Sequence, residues 1–146
     1  MPNWVENDLK VRGDPEAVTR FAAEMEGTRE DGVDTYLDEQ KLIPYPQNQG
    51  WDYEWCINNW GTKWGFCETQ SPKITTVNGK AKAFYTFSTA WSPAIPLVAK
   101  MAEKNPHLSF TWRFYERGME YKGKIVFKSG KLVSSFKGEY HGNRGG

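Results

Sequence analysis

The chain contains two segments in which a strand pattern is followed by a helix pattern, and this order constrains the fold most strongly. Residues 3–12 alternate in polarity, which predicts a strand with one buried face. The inward side of this strand carries Val5, Asn7, Leu9 and Val11. Asp14 and Pro15 then predict the start of a helix, because Asp caps free backbone N–H groups and Pro suits the first helical turn. The apolar stripe of that helix is Ala17, Val18, Phe21, Ala22 and Met25.

The second strand–helix segment begins at a predicted hairpin. Asn78-Gly79 indicates a tight turn, because both residues tolerate positive φ angles, and the turn leads into a strand over residues 80–88. Ser92-Pro93 predicts the start of a second helix, which Asn105-Pro106 ends. A further strand follows, whose inward residues are Leu108, Phe110, Trp112 and Phe114.

The order β–α–insertion–β–β–α–β predicts an α+β protein with a ferredoxin-like, split βαβ sandwich. In this fold an antiparallel sheet carries two helices on one face. The insertion covers about residues 28–66, and a C-terminal hairpin that turns at Ser129-Gly130 would extend an edge of the sheet or fold over one end. We expect one domain over residues 1–146, since domains of about 100–200 residues are typical. The tail over about residues 141–146 is expected to be disordered.

Charge and composition argue against several classes of function. Nineteen Lys and Arg residues oppose 18 Asp and Glu, so the net charge is only +1, whereas duplex-DNA-binding proteins usually carry a clear basic excess. No stretch approaches the ~20 consecutive apolar residues of a membrane span, and the first residues lack the pattern of a secretion signal. We therefore expect no membrane partner and a cytoplasmic location. The 2 cysteines are too few for a disulfide scaffold and fit a reducing compartment.

Residues that carry catalysis or bind metals form no recognisable motif. Cys56 and Cys67 are far apart, and the sequence has no CxxC, HExxH or acidic calcium loop, so we predict no metal and no cofactor. A nucleophilic pair of Cys67 and His107, which would make the protein a hydrolase, is an alternative. Burial of both cysteines is the simpler interpretation, since Cys is among the most buried residue types. We therefore predict a binding protein and not an enzyme.

A nucleic-acid-binding face is a second alternative, because the RNA recognition motif has the same predicted topology. Residues 80–87 resemble the third strand of that motif in a basic first residue, a small fourth residue and two aromatic rings, although the glycine is missing. The residues that would share the helix-free sheet face are Lys82, Phe84, Arg113 and Tyr115. We expect instead that the C-terminal hairpin covers this face and places Phe84 and Tyr115 in the core. An open, basic face bearing rings would favour nucleic acid.

Aromatic residues provide the other candidate binding surface, since they make up 15% of the chain. Rigid rings mixed with charged and amide groups are typical of recognition pockets. The predicted binding residues are Asn59, Trp60, Lys63, Trp64, Trp91 and Glu116. For Trp60 and Trp91 we favour burial in the core over a place on this surface, whereas Asn59, Lys63 and Trp64 are expected at the surface.

Several short segments together resemble one known family. They are Met1-Pro2-Asn3-Trp4 with Asn7, Ile43-Pro44-Tyr45-Pro46, Asn59-Trp60-Gly61-Thr62-Lys63-Trp64, Phe87-Ser88-Thr89-Ala90-Trp91-Ser92-Pro93 and Tyr115-Glu116-x-Gly118. In these segments the chain resembles the YubB-like ferredoxin-domain proteins of bacteriophages and conjugative plasmids. Val5 departs from the family pattern, which often has cysteine at this position. The resemblance implies a ferredoxin-like domain, a mobile-element gene and expression inside a bacterium, and it implies no enzymatic activity.

The sequence supports two hypotheses of function. The first is a non-enzymatic binding protein in the cytoplasm of a bacterial host, where it helps a mobile element to counter host defences. Its partner would be a host protein or a small signalling nucleotide, and its binding surface would be the aromatic-rich segment. The second hypothesis is a module that binds single-stranded RNA or DNA through the basic, aromatic face of its sheet.

Overall fold

A strand over Trp4–Gly13, named β1, runs through the middle of a six-stranded sheet in the computed structural model, which describes residues 2–146. The other strands are β2 (Gly27–Thr28), β3 (Asp34–Thr35), β4 (Lys73–Val77), β5 (Lys80–Ala90), β6 (Ser109–Glu116), β7 (Tyr121–Lys128) and β8 (Lys131–Glu139). The helices are α1 (Pro15–Met25), α2 (Tyr53–Trp60) and α3 (Ile95–Lys104), with a 3-10 turn at Glu39–Lys41. Within residues 2–146, none of the helices has the length and apolar character needed to cross a membrane.

The sheet confirms the predicted ferredoxin-like arrangement. Its strand order is β4-β5-β1-β6-β7-β8, and every neighbouring pair is antiparallel. β1, β4, β5 and β6 are the strands of the split βαβ unit, and α1 and α3 are its two helices. β7 and β8 continue the sheet beyond β6, so the C-terminal hairpin extends an edge and does not fold over an end.

One face of the sheet is buried beneath α1 and α3. Alternate residues of β1 are fully buried on this face, as the sequence pattern predicts: Val5, Asn7, Leu9 and Val11. Phe21 of α1 packs edge-on against Tyr85 of β5 and Phe110 of β6, with ring centroids 6.1 and 5.7 Å apart. Because a fully buried Leu or Phe side chain contributes about 1.5–3 kcal/mol, this layer determines which sheet face the helices cover.

Two polar groups inside this layer have different surroundings. The indole N–H of Trp112 donates to Asn7 Oδ1 at 2.9 Å, and the Asn7 amide donates to the Val5 carbonyl at 3.0 Å. The polar residue on the inward side of β1 therefore satisfies a buried tryptophan. The hydroxyl of Tyr85, by contrast, is buried without a hydrogen-bond partner among residues 2–146, and burial raises the pKa of this phenol.

The insertion between α1 and β4 is anchored by a buried carboxylate. Glu39 accepts hydrogen bonds from the Arg29 guanidinium at 3.1 Å and from the Phe66 backbone N–H at 3.2 Å. Burial raises the pKa of Glu39, and the positive charge of Arg29 opposes that shift. Farther along, Gly61 ends α2 at a φ of 78°. The insertion is thus folded against the rest of the protein and carries the aromatic segment.

The start of α3 differs from the sequence prediction. The residue that precedes this helix is Ala94, which offers no side-chain cap. Ser92 does not cap it, because its hydroxyl donates to the Gly61 carbonyl at 2.5 Å. Ser92 therefore joins the end of α2 to the chain entering α3.

The C-terminal tail also differs from the predicted disorder over residues 141–146. The Arg144 guanidinium donates to Glu6 at 2.8 Å and to both Asp8 oxygens at 2.7 and 2.8 Å. Gly146 exchanges two backbone hydrogen bonds with Trp4, of 2.8 and 3.1 Å. The prediction failed because the partners of the tail lie on β1, far away in the sequence.

Candidate functional site

The sheet face opposite the helices, here named the helix-free face, is open. Alternate residues of β1, β5, β6 and β7 point away from α1 and α3 and remain partly exposed. The expectation that the C-terminal hairpin covers this face is wrong, because β7 and β8 pair in the sheet beside β6. Phe84 and Tyr115 therefore lie on the helix-free face, half-buried, and are not core residues.

Cationic side chains crowd the helix-free face. In the strand register, Lys10 is directly opposite Phe84, and Arg12 is directly opposite Lys82. Residues directly opposite each other in antiparallel strands project to the same face, so these side chains are neighbours. Arg113 pairs with Lys124 of β7 in the same way. The cations that share this face are Lys10, Arg12, Lys73, Lys82, Arg113, Lys122 and Lys124.

The repulsion among these charges acts on Lys10. Partial burial and the positive charges of Arg113, Lys82 and Arg12 lower the pKa of Lys10, although Asp8 acts in the opposite direction. A cluster of like charges loses repulsion when an anion binds among them. The centre of the helix-free face is therefore a favourable place for an anionic group.

The two carboxylates that β1 places on the helix-free face are already paired. Arg144 of the tail binds Glu6 and Asp8, and its pKa is raised, first by the hydrogen bonds to Asp8. The guanidinium carbon of Arg144 also lies 4.3 Å from the centroid of the Tyr115 ring. The tail thus compensates one of the two negative charges at this end of the face and covers one side of Tyr115.

A second surface is the tryptophan cluster, which consists of Trp51, Trp64 and Trp91 around Lys63. The Lys63 ammonium lies 4.4 Å from the Trp64 ring centroid, 4.5 Å from that of Trp91 and 5.8 Å from that of Trp51. The three indoles are 56%, 38% and 43% exposed for Trp51, Trp64 and Trp91 respectively. The structure therefore brings together three of the predicted binding residues, Lys63, Trp64 and Trp91, and adds Trp51.

Trp91 has an unusual backbone conformation within this cluster. Its φ is 73°, and its backbone N–H donates to the Asn3 carbonyl at 2.7 Å. A positive φ in a bulky residue costs on the order of 1–3 kcal/mol and is common at binding sites. Trp91 nevertheless lies at the surface beside Lys63, so the expectation that it is buried in the core is wrong.

The remaining predicted binding residues lie outside the cluster. Trp60 is buried, and its indole N–H donates to the Ile43 carbonyl at 2.8 Å, as expected of a core residue. The Asn59 amide donates to a carbonyl one helical turn earlier, at 2.9 Å. Glu116 is fully buried and accepts the two N–H groups of the β6–β7 turn at 2.5 and 2.7 Å. Glu116 therefore holds a turn, and its predicted place on a binding surface is wrong.

Lys10 and Lys124 are not among the residues predicted for the candidate face. The alternation in β1 already places Lys10 on the outer side, so the signal was present and only its neighbours were unknown. The proximity of Lys124 to Arg113 depends on the register of β6 against β7, which no local pattern determines.

The cysteine–histidine pair does not form. Cys67 pairs with Ser88, which is opposite Glu6, whereas His107 lies against Gly13 at the other end of β1. Those two ends are separated by about 20 Å at the usual strand rise. Burial also raises the pKa of the Cys67 thiol to about 11, which disfavours the thiolate at neutral pH. Within residues 2–146 no three Cys, His, Asp or Glu side chains converge on a metal-sized space.

Comparison with known proteins is consistent with this fold. Residues 73–144, which contain β4 to β8 and α3, match the family model described as a ferredoxin-like domain in Api92-like protein. The crystal structure of a protein api92 from Yersinia pseudotuberculosis superposes with a TM-score of 0.51 at 14% sequence identity. The match covers 73% of this chain and 40% of that one, so this chain spans less than half of that structure. No curated protein matches the sequence. The chain is thus similar, over residues 73–144, to the ferredoxin-like domain of Api92-like proteins, a family of unknown function.

Proposed function

We propose that the protein binds single-stranded nucleic acid across its helix-free face. The observation that carries the proposal is an open sheet face on which cations surround Phe84 while the two carboxylates of β1 are paired with Arg144. Lysine and arginine bind phosphates, and an aromatic ring on a sheet stacks with an unpaired base. The helix-free face combines both kinds of group.

The small net charge is compatible with this proposal because the charges are segregated. Exposed acidic residues of α1, such as Glu16 and Glu24, lie on the helical side of the sheet, whereas the helix-free face is predominantly basic. Counterion release depends on the cations that contact phosphates and not on the charge of the whole molecule. A flat face with a half-buried ring suits a flexible single strand, whose bases are free to stack.

Fluorescence anisotropy with labelled oligothymidylate and oligouridylate tests the proposal. The variant Lys82→Gln/Arg113→Gln removes two cations of the face, and Arg20→Gln/Lys100→Gln removes two from the exposed sides of α1 and α3. We expect the first variant to bind about tenfold more weakly at low salt, and the second to bind like the wild type. Equal losses in the two variants, or no binding by the wild type, would contradict the proposal.

Phe84 provides a second, uncharged test of the same face. We expect Phe84→Leu to weaken oligonucleotide binding by about 1–3 kcal/mol, because leucine keeps an apolar side chain but removes the ring that stacks on a base. Circular dichroism of the variant serves as the control for folding. Unchanged affinity would assign binding to charge alone and exclude a stacked base at this position.

A second candidate function is the binding of a protein through the tryptophan cluster. Three exposed indoles and a strained Trp91 favour it, because rigid aromatic side chains dominate the energy of many protein interfaces. The resemblance to mobile-element proteins makes a host protein of the bacterial cytoplasm the partner to seek, and a defence component the most informative one. Affinity capture from host cells with the wild type and Trp64→Ala as bait should recover a partner with the wild type alone. Recovery of the same proteins by both baits would exclude the cluster as the interface.

A further inference from the structure

A cleft of about 560 Å³ opens at one end of the sheet, away from the tryptophan cluster. It lies where β1, β4 and β7 end and where β5 and β6 begin, so five strand ends contribute to its walls. Its polar lining includes Arg12, Lys80, Lys82, His107, Ser109 and Lys128. A volume of this size falls within the range of about 300–1,000 Å³ that small-ligand sites occupy.

The charge of the cleft has one sign. Four lysine and arginine side chains and one histidine line it, and no Asp or Glu is among the residues that form its walls. Within residues 2–146 none of those four cations forms an ion pair. The hydroxyls of Thr75, Ser109 and Ser129 add neutral hydrogen-bond donors. The cleft therefore offers concentrated positive charge with no internal partner for it.

We infer that this cleft binds a phosphate monoester. A terminal phosphate carries a charge of about −1.5 to −2 at neutral pH and has three strong acceptor oxygens, whereas a phosphodiester carries a single charge. Several converging cations and hydroxyl donors therefore favour the monoester over the internal phosphates of a strand. The ester would come either from the phosphorylated end of an oligonucleotide or from a free mononucleotide.

The position of the cleft connects it to the helix-free face. Arg12 and Lys82 are directly opposite each other in the β1–β5 register, and both belong to the cleft and to the face. A strand that lies over Phe84 would therefore reach the cleft with one end. This strand-end version rests on the proposed function, whereas binding of a free nucleotide does not.

The test compares ligands that differ by a single phosphate. Oligothymidylates of about ten nucleotides with a hydroxyl, 5′-phosphate or 3′-phosphate end are titrated at about 50 mM salt. Adenosine and AMP are titrated in parallel by calorimetry. We expect at least one phosphorylated ligand to bind about tenfold more tightly than its unphosphorylated counterpart. If no phosphorylated ligand binds more tightly than its counterpart, the inference is wrong.

Matched variants separate this site from the rest of the surface. Lys80→Gln/Lys128→Gln removes two cations of the cleft and keeps those around Phe84, and both residues are exposed at strand ends, where substitution leaves the core intact. We expect this variant to lose the preference for phosphorylated ligands, while Arg20→Gln/Lys100→Gln keeps it. A preference that both variants keep, or that both lose, would overturn the assignment to the cleft.

The outcomes also distinguish the inference from the proposed function. If the hydroxyl-ended oligonucleotide binds and the phosphate adds nothing, the inference fails while the proposed function stands. If AMP binds more tightly than adenosine and no oligonucleotide binds, the free nucleotide is the ligand and the proposed function fails. If a 5′- or 3′-phosphate strengthens oligonucleotide binding in a Lys80- and Lys128-dependent way, the strand end is the ligand.

Discussion

Lys10 reports on the electrostatics of the helix-free face more directly than any other residue. Partial burial, Arg113, Lys82 and Arg12 lower the pKa of Lys10, so the folded protein releases this proton at a lower pH than the unfolded chain does. A rise in pH through that range therefore removes a repulsion present only in the folded state. Deprotonation of Lys10 therefore raises the free energy of unfolding, and the protein becomes more stable as the pH rises through this range.

Removal of one neighbouring charge should shift this titration. We expect Arg113→Gln to raise the pKa of Lys10 toward its usual value, because one source of repulsion disappears while burial is unchanged. NMR titration of the lysine side chains measures the change, and Arg20→Gln on the opposite side of the sheet is the control. A Lys10 pKa that stays the same in Arg113→Gln would show that the charge of Arg113 does not contribute to lowering it.

At Gly61 a backbone constraint and a packing constraint coincide. Its φ is 78°, and a Cβ added there would lie 2.5 Å from Pro96 Cδ at the start of α3. We expect Gly61→Ala to lower the free energy of unfolding by clearly more than the ~1–2 kcal/mol of a left-handed alanine. Gly79→Ala is the matched control, since its φ is 77° and nothing lies within 4 Å of the added atom. Urea denaturation measures both variants, and an equal decrease in the free energy of unfolding would show that α3 shifts to accommodate the added methyl group without an energetic penalty.

At the scale of elements, the strands and helices follow closely from local patterns. The alternation in β1 and β6 and the stripe in α1 predict these elements with the correct buried faces, because burial of one face produces the pattern itself. Ser92 shows where local signals fail: a good capping residue was used for a tertiary hydrogen bond to Gly61. Glu116 was misassigned for a similar reason, since its partners are the amides of the turn that follows it.

The C-terminal tail acts as an element, although it has no regular secondary structure. We expect Arg144→Gln to accelerate amide hydrogen exchange at Trp4 and Gly146, because the two backbone hydrogen bonds between them depend on the pairing of Arg144 with Asp8. Exchange in the core strands should remain slow. Lys131→Gln, an exposed substitution on β8, provides the control, and equal exchange rates in the two variants would show that the ion pairs do not hold the tail.

At the scale of the whole molecule, the open face was the feature that the sequence did not reveal. The pattern of residues 119–136 predicts a hairpin but does not state whether it pairs with the edge of β6 or folds across Phe84 and Tyr115. The choice depends on whether the hairpin gains more from pairing with β6 or from packing on the sheet face, and both partners are distant in the sequence. The net charge of +1 also gave no indication of the basic helix-free face, because a total charge carries no information on where the charges lie.

The segregation of charge leads to a prediction about salt. If about four phosphates contact the cations of the helix-free face, the logarithm of the affinity should fall with the logarithm of salt concentration with a slope of about −3. The variant Lys82→Gln/Arg113→Gln should reduce the steepness of this slope by about 1.4, since each lost contact removes about 0.7. Anisotropy titrations over a series of salt concentrations measure both slopes. A slope near zero would exclude phosphate contacts as the source of affinity.

The buried hydroxyl of Tyr85, which lacks a hydrogen-bond partner among the described residues, affects the thermal stability of the protein. Phenylalanine in its place would occupy the same space against Phe21 and would leave no buried oxygen without a protein partner. An unsatisfied buried group of this kind costs about 1–3 kcal/mol, so we expect Tyr85→Phe to raise the melting temperature. Removal of one oxygen atom from the helix-covered side of β5 thus offers a route to a more stable protein that leaves the side chains of the helix-free face unchanged.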